Sequence, residues 1–279
     1  MQLDRKNLNQ IIKNALEEDI GSGDITTETI IPESRNIKAE FVAREEAITC
    51  GIPILEEVFS FSDKTLGLFP NSFEGSLIKK DDRILTVSGD AKEILKLERV
   101  ALNLLQYMCG IATNTRKFVE KVKHTKAKIL DTRKTHPNLR ILAKYAVWIG
   151  GGTNHRFGLY DAFLIKDNHL KILGGDIRYA LETAKKYNKQ NLKIEIECDK
   201  ISQVEEALKY NPDIILLDNM SIKELKESVA LNKENILLEA SGGITLENVA
   251  EVAKTGVDYI SIGALTHSSK NIDIGLDFS

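Results

Sequence analysis

Cysteine is scarce in this sequence: Cys50, Cys109 and Cys198 are the only three in 279 residues. They are odd in number and far apart, with no CxxC pair and no zinc-ligand spacing. A disulfide scaffold and a zinc module are thereby excluded, and reduced thiols in a cytosolic protein are expected. No apolar run approaches the length of a membrane-spanning helix, so no membrane span is expected. The opening MQLDRKNLNQIIKNALEEDIG mixes charged and apolar residues and lacks the hydrophobic region of a secretory signal. Excess positive charge is missing too. The formal net charge is -3, which speaks against a general nucleic-acid binder and confines any basic site to a local patch. What remains, 42% hydrophobic and 28% charged residues with only 5 prolines, suits one large or two moderate globular domains.

The first ninety residues read as α+β. Leu8, Ile11, Ile12 and Leu16 recur at helical spacing up to Gly21. IKAEFVAREEAITCG and SLIKKDDRILTVSG read as strands, with GIPILEEVFSF between them as a short helix. From Ala91 onwards a long helical pattern begins. Ile94, Leu95, Leu97, Ala101, Leu102, Leu104, Leu105 and Met108 make it apolar nearly all round, so it should be buried between domains or subunits. Gly110 is expected to break it in two. A βα rhythm follows, with strands at 128–131, 162–166, 193–197, 213–218, 236–240 and 258–263. These are short continuous apolar runs, as covered parallel strands require. Glu197, Asp218 and Glu239 recur every 21 residues, near the minimum for one βα unit. The pattern favours a β/α barrel over an open doubly wound sheet. Six strands are clear, and a seventh is sought near 152–154.

Polar residues directly follow the apolar runs. Asp131-Thr132-Arg133-Lys134, Lys166-Asp167, Glu197, Asp218, Ser241-Gly242-Gly243 and Gly263-Ala264 would converge on one rim of a barrel. Singly, each has a plain reading: Asp131 as a turn or cap acid, each cation as a solvated rim charge. Together, four cations on one rim, Arg133, Lys134, Lys166 and the Arg156 of GGGTNHR, would repel one another without an anion. KIEIECDK alternates, so Glu195 and Glu197 share a side. The loops SGGI and IGAL follow the last two strands, where barrels commonly bind phosphate, and Thr245 can cap the helix there. His155 follows GGGTN; His124, His136, His169 and His267 are read as structural or surface residues. The pattern implies a barrel enzyme with a phosphate grip, two acids for a divalent metal or sugar hydroxyls, and a cationic pocket for a multi-carboxylate partner.

ERVALNLLQYMCGIAT, ILDTRKTHPNLR, YAVWIGGGTNHRFGLYDAFLIKDNHL, IEIECD, ILLDNM, LEASGGI and DYISIGALTHS resemble, in order and spacing, the quinolinate phosphoribosyltransferase family. The resemblance covers nearly the whole chain. It implies an N-terminal α+β sandwich domain at 1–108. A seven-stranded open, TIM-like α/β barrel at 109–279 would follow, its last residues packing back on the first domain. It implies Mg²⁺-dependent transfer of phosphoribosyl from phosphoribosyl pyrophosphate to quinolinate with decarboxylation, in de novo NAD synthesis in the cytoplasm. Arg133, His155, Arg156 and Lys166 resemble the quinolinate pocket, completed by Arg99 from a neighbouring subunit, which makes the protein at least a homodimer. Thr132, Lys134, Glu197, Asp218, Ser241, Gly242, Gly243, Ile262, Gly263 and Ala264 resemble the phosphoribosyl pyrophosphate site. Lys134, Glu197 and Asp218 would be catalytic, and Glu197 and Asp218 would hold Mg²⁺, directly or through water. Two departures are THPN where the family reads TTPG, and Trp148 where it has Arg; Asn138 can take the left-handed backbone of the missing Gly. Three rivals are a related transferase that has lost quinolinate, a Schiff-base lyase using Lys166 or Lys134, and a non-catalytic sugar-phosphate binder.

Overall fold

The computed structural model describes residues 3–31, 33, 35–234 and 236–278. It divides into two compact units. One takes the chain up to Arg116, Thr135–Gly151 and the segment from Leu265 on; the other takes Lys117–Lys134 and Gly152–Ala264.

The chain begins with α1 (Arg5–Ile20) and α2 (Ile25–Ile30), then β1 (Asn36–Ala43), β2 (Ala47–Ile48), α3 (Ile52–Phe59), β3 (Gly67–Pro70), β4 (Leu77–Ile78), β5 (Arg83–Asp90) and α4 (Ala91–Val122). Asp4 caps α1 by accepting the Lys6 N–H, and Leu8, Ile12 and Leu16 form its buried stripe. The helix stops at Gly21, which has φ 51°, a conformation that glycine takes at little cost.

α4 is one helix of 32 residues and runs straight through Gly110. The expected break does not occur. A side-chain carbon at Gly110 would collide with the backbone carbonyl of Lys270. The glycine therefore serves a close approach between chain segments, and the flanking helix formers carry the helix across it.

β6 (Lys128–Leu130), α5 (Arg140–Ile149), β7 (Phe163–Ile165), α6 (Asp167–Ile172), α7 (Ile177–Tyr187), β8 (Ile194–Cys198), α8 (Ile201–Leu208), β9 (Ile214–Asp218), α9 (Ile222–Leu231), β10 (Leu237–Ser241), α10 (Val249–Ala253), β11 (Tyr259–Ser261), α11 (Ala264–His267) and β12 (Ile274–Phe278) follow. In the first unit a four-stranded sheet has the order β12-β1-β5-β3, with every neighbour antiparallel. The C-terminal β12 thus closes a sheet begun near the N-terminus. β3 and β12 are additions to the strands read from sequence.

The second unit holds a six-stranded parallel sheet in the order β6-β11-β10-β9-β8-β7. All six strands lie where the apolar runs placed them. Ile194, Ile196, Ile215, Leu217, Leu238, Ala240 and Ile260 are buried on one face. Alternation turns Leu164, Glu195, Glu197, Leu216, Asp218, Glu239, Ser241 and Ser261 to the other. Among the described residues the sheet has six strands, not seven. At the place sought for a seventh, Thr153 makes an isolated parallel bridge to Leu130. The Thr153 N–H bonds the Ile129 carbonyl, and Thr153 accepts from the Asp131 N–H. The next ladder donor, the His155 N–H, goes to the Asp131 carboxylate instead, so the pairing ends there.

Candidate active site

The inward residues of the parallel strands and the loops at their C-terminal ends enclose a cleft of about 560 Å³. It belongs wholly to the second unit. Its wall includes Thr132, Arg133 and Lys134 after β6; His155 and Arg156; Lys166 after β7; Glu197 and Asp218 ending β8 and β9; and Ser241, Gly242 and Gly243 after β10. Eleven residues singled out from sequence therefore meet in one place. Ile262, Gly263 and Ala264 follow β11. Ile262 is buried and gives its N–H to the Leu130 carbonyl. Arg99 is an exposed residue of α4 in the first unit.

The loop that carries the cations is fastened from below. Asp131 is fully buried. Its carboxylate accepts the Asn154 amide at 2.6 Å and the His155 N–H at 2.8 Å. It is a clamp rather than the turn acid that its position suggested. Asp161 fastens the other side of the loop, accepting the N–H groups of Phe157 and Gly158 at 2.6 and 2.9 Å. Arg156 donates one nitrogen to the Ala162 carbonyl at 3.0 Å, while its buried Nε has no partner. Burial, and then the nearby charge of Arg133, pull the Arg156 guanidinium below its ordinary pKa. Both effects mark a cation short of countercharge.

Lys166 is half exposed and lies 3.4 Å from Glu197, which is nearly buried. Lys166 also begins α6, where its backbone N–H bonds His169 Nδ1 at 2.8 Å, consistent with a structural His169. Glu197 and Asp218 also face a smaller hollow of about 190 Å³ with Asp167, Asp199 and Gln203. The four carboxylates of this set offer oxygen ligands only, the kind a hard divalent cation takes, while the Gln203 oxygen is turned to the N–H groups of Asp199 and Lys200. Gly242 has φ 92°, and a side-chain carbon there would strike the Asn219 amide oxygen. The position admits only glycine without rearrangement, and Asn219 joins the wall of the cleft.

Sequence reading did not single out Asn154, Asp161 or Asn219. Asn154 and Asp161 act through local hydrogen bonds that have no fixed sequence signature. Asn219 at φ 54° was signalled only by the Asp-Asn pair at a strand end. The departures lie in the first unit. Asn138 has φ 65°, the conformation expected of it, and Trp148 is partly exposed with its ring 6.0 Å from that of Tyr145. The thiols offer no nucleophile: all three are buried, and burial pushes Cys109 and Cys198 up to about 12.

Two family models match the chain. The C-terminal domain of quinolinate phosphoribosyl transferase matches residues 111–277, and its N-terminal domain matches 24–109. A probable nicotinate-nucleotide pyrophosphorylase (carboxylating) of Bacillus subtilis is 42% identical over 97% of this chain and 93% of its own. Its namesake in Methanocaldococcus jannaschii is 44% identical over 96% of each chain. The crystal structure of nicotinate-nucleotide pyrophosphorylase from Ehrlichia chaffeensis superposes with a TM-score of 0.93 at 45% identity, covering 100% of both chains. The Francisella tularensis structure gives 0.94 at 37% identity, covering 100% of this chain and 98% of that one.

Proposed function

The chain belongs to the quinolinate phosphoribosyltransferase family, and on that premise we propose that it carries out the reaction its relatives are named for. Phosphoribosyl passes from phosphoribosyl pyrophosphate to quinolinate, carbon dioxide is lost, and nicotinate mononucleotide and pyrophosphate are released for NAD synthesis. The observation that carries this reading is the meeting of Arg133, Arg156 and Lys166 with the strand-end acids Glu197 and Asp218 in one cleft. A dianion and a polyphosphate would otherwise repel each other; the cations offset that repulsion and fix geometry.

In this reading Arg133 and Arg156 each meet one carboxylate of quinolinate with two hydrogen bonds. Lys166 adds charge, and His155 orders the rim beside them. Lys134 lies between the two substrates and neutralises the leaving pyrophosphate. Glu197 and Asp218 hold the ribose hydroxyls and favour the positive charge that develops at the anomeric carbon. Ser241, Gly242 and Gly243, with Ile262, Gly263 and Ala264, receive the 5-phosphate. Glu197 and Asp218 would also hold Mg²⁺, directly or through water; when bound, it supplies charge neutralisation to the pyrophosphate. Once the ring nitrogen is ribosylated, the bond to the neighbouring carboxylate breaks, the adjacent pyridinium charge stabilises the electron pair left on the ring carbon, and a proton from solvent completes the C–H bond of the product. The side chains then need only hold the ring in place.

We further read the six strands, with Thr153 beside β6, as an open seven-stranded barrel. The protein would be a cytoplasmic homodimer, or a larger homo-oligomer, with Arg99 reaching a neighbour's cleft. A Schiff-base lyase is the weaker reading: Lys166 is half exposed and ion-paired, the opposite of a desolvated amine. The test is to incubate the protein with quinolinate, phosphoribosyl pyrophosphate and Mg²⁺ and to identify the nucleotide formed. Nicotinate mononucleotide is expected. Its absence from a folded, oligomeric preparation would defeat the reading.

A further inference from the structure

Below the cations, the inward faces of β8 and β10 carry two carboxyl groups that the proposed reaction does not use. Glu195 is 2% exposed and Glu239 0%. Both face one ring nitrogen: His155 Nε2 is 3.1 Å from Glu195 and 3.7 Å from Glu239. One oxygen of Glu195 and both of Glu239 are buried without a well-aligned hydrogen bond, the Ser261 hydroxyl being the polar neighbour of Glu239 besides His155. Poorly satisfied buried carboxylate oxygens are costly, so the arrangement calls for a cation or a proton between them.

A metal ion is one occupant, since ligand atoms of the three residues lie within 4.8 Å of one another. The histidine argues against it. His155 Nδ1 accepts the Arg156 N–H at 2.6 Å. That bond assigns the ring hydrogen to Nε2. The ring therefore points an N–H, not a lone pair, at the carboxyl groups, and its other nitrogen is not the donor that a metal-bound histidine keeps. One N–H cannot satisfy two carboxylates. A proton on one acid resolves the arrangement: a carboxylic acid facing a carboxylate makes one short hydrogen bond where two charges would repel.

We propose that Glu239 is a neutral carboxylic acid in the free protein. It acts as a positioning residue by donating to Glu195, seating His155 against the pair, and limiting the negative charge beneath the cleft so that a dianion can enter beside Arg133 and Arg156. The last part rests on the quinolinate reading. The surroundings agree. Burial first, then the charges of Glu195 and Asp131, push Glu239 up to about 8, against the opposing influence of His155 and the Ser261 hydroxyl. Its strand neighbours are Leu216 on β9 and Tyr259 on β11, and Arg156 lies within electrostatic reach of Glu195. Ionisation of Glu239 would add a second negative charge next to the cations that the ligand needs.

Infrared difference spectroscopy of the free protein, with carbon-labelled glutamate, tests the proton without any substrate. A protonated-carboxyl band is expected at about pH 7, vanishing as pH rises through about 8 and absent from Glu239→Gln. No such band at about pH 7 would overturn the proposal. Calorimetric titration with quinolinate tests the consequence. Wild-type affinity should fall roughly tenfold between about pH 7 and about pH 9, the scale of one added charge at close range. Glu239→Gln, which fixes the neutral form, should show no such fall; a fall equal to the wild type's would overturn the positioning role. Wild-type protein that binds no quinolinate at any pH would defeat the functional reading instead, and the infrared band would still decide for or against the proton on Glu239.

Discussion

Replacing Asp131 should loosen the loop that presents His155 and Arg156 and should cost stability at the same time. The Asp131 side chain is fully buried, and the hydrogen bonds it accepts include those from Asn154 at 2.6 Å and from the His155 backbone at 2.8 Å. Hydrogen bonds to a charged acceptor contribute about 1.5–3 kcal/mol each. Asp131→Ala removes both, for a gross loss of roughly 3–6 kcal/mol. Both donors lie on half-buried residues, so water recovers part of this, and a net loss of about 2–4 kcal/mol is expected. Asp131→Asn keeps one acceptor and turns an amide donor towards the other N–H, so it should lose about half as much. Urea denaturation measures this directly: the midpoint should fall while the slope stays constant. Quinolinate affinity should fall with it, because Arg156 directly follows the released N–H. An unfolding free energy unchanged to within about 0.5 kcal/mol in Asp131→Ala would refute the clamp, and with it the account of how the cations are positioned.

Three further outcomes are expected. Arg133→Ala and Arg156→Ala should each weaken quinolinate binding by about 2–4 kcal/mol in calorimetry, since each leaves a carboxylate poorly paired; unchanged affinity in both would remove them from the pocket. Gly110→Ala should destabilise by about 1–3 kcal/mol in urea, because the collision with the Lys270 carbonyl outweighs a helix-propensity gain of about 1 kcal/mol; a stabilised variant would contradict the close approach. Folding raises the pKa of Glu239 from 4.5 to about 8, so the native state keeps a proton that the unfolded chain releases. The resulting penalty is absent below the unfolded value, grows as pH rises, and is complete above about 8, at on the order of 3–5 kcal/mol. The melting temperature of Glu239→Gln should therefore gain on wild type between about pH 5 and about pH 8, and a constant gap would contradict the buried acid.

The parallel strands were legible because strands covered on both sides carry short continuous apolar stretches, such as 214–217 and 236–238, with polar residues confined to their ends and to the inner face. β3 was hidden by its ends, Gly67 and Pro70. β12 carried a signal that was passed over: Ile272, Ile274, Leu276 and Phe278 alternate as an edge strand would. Gly110 misled because a helix-breaking residue can equally be a packing requirement, and only the neighbouring chain distinguishes the two. Within the site, strand-end position and alternation brought Glu197, Asp218 and the SGG loop together. Alternation also put Glu195 on the inner face. It could not show that Glu239, two strands away, shares its histidine, because that depends on the stagger between strands. The same limit made Asp131 look like a turn acid: its partners lie 23 and 24 residues further on.

The central claim is that the cationic cleft accepts quinolinate for ribosylation followed by decarboxylation. Release of radiolabelled carbon dioxide from carboxyl-labelled quinolinate tests it most directly. Release that requires both phosphoribosyl pyrophosphate and Mg²⁺, and that is lost in Arg156→Ala, is the predicted result. No release from folded wild-type protein with both present would contradict the claim and mean that the cleft is built for a different acid.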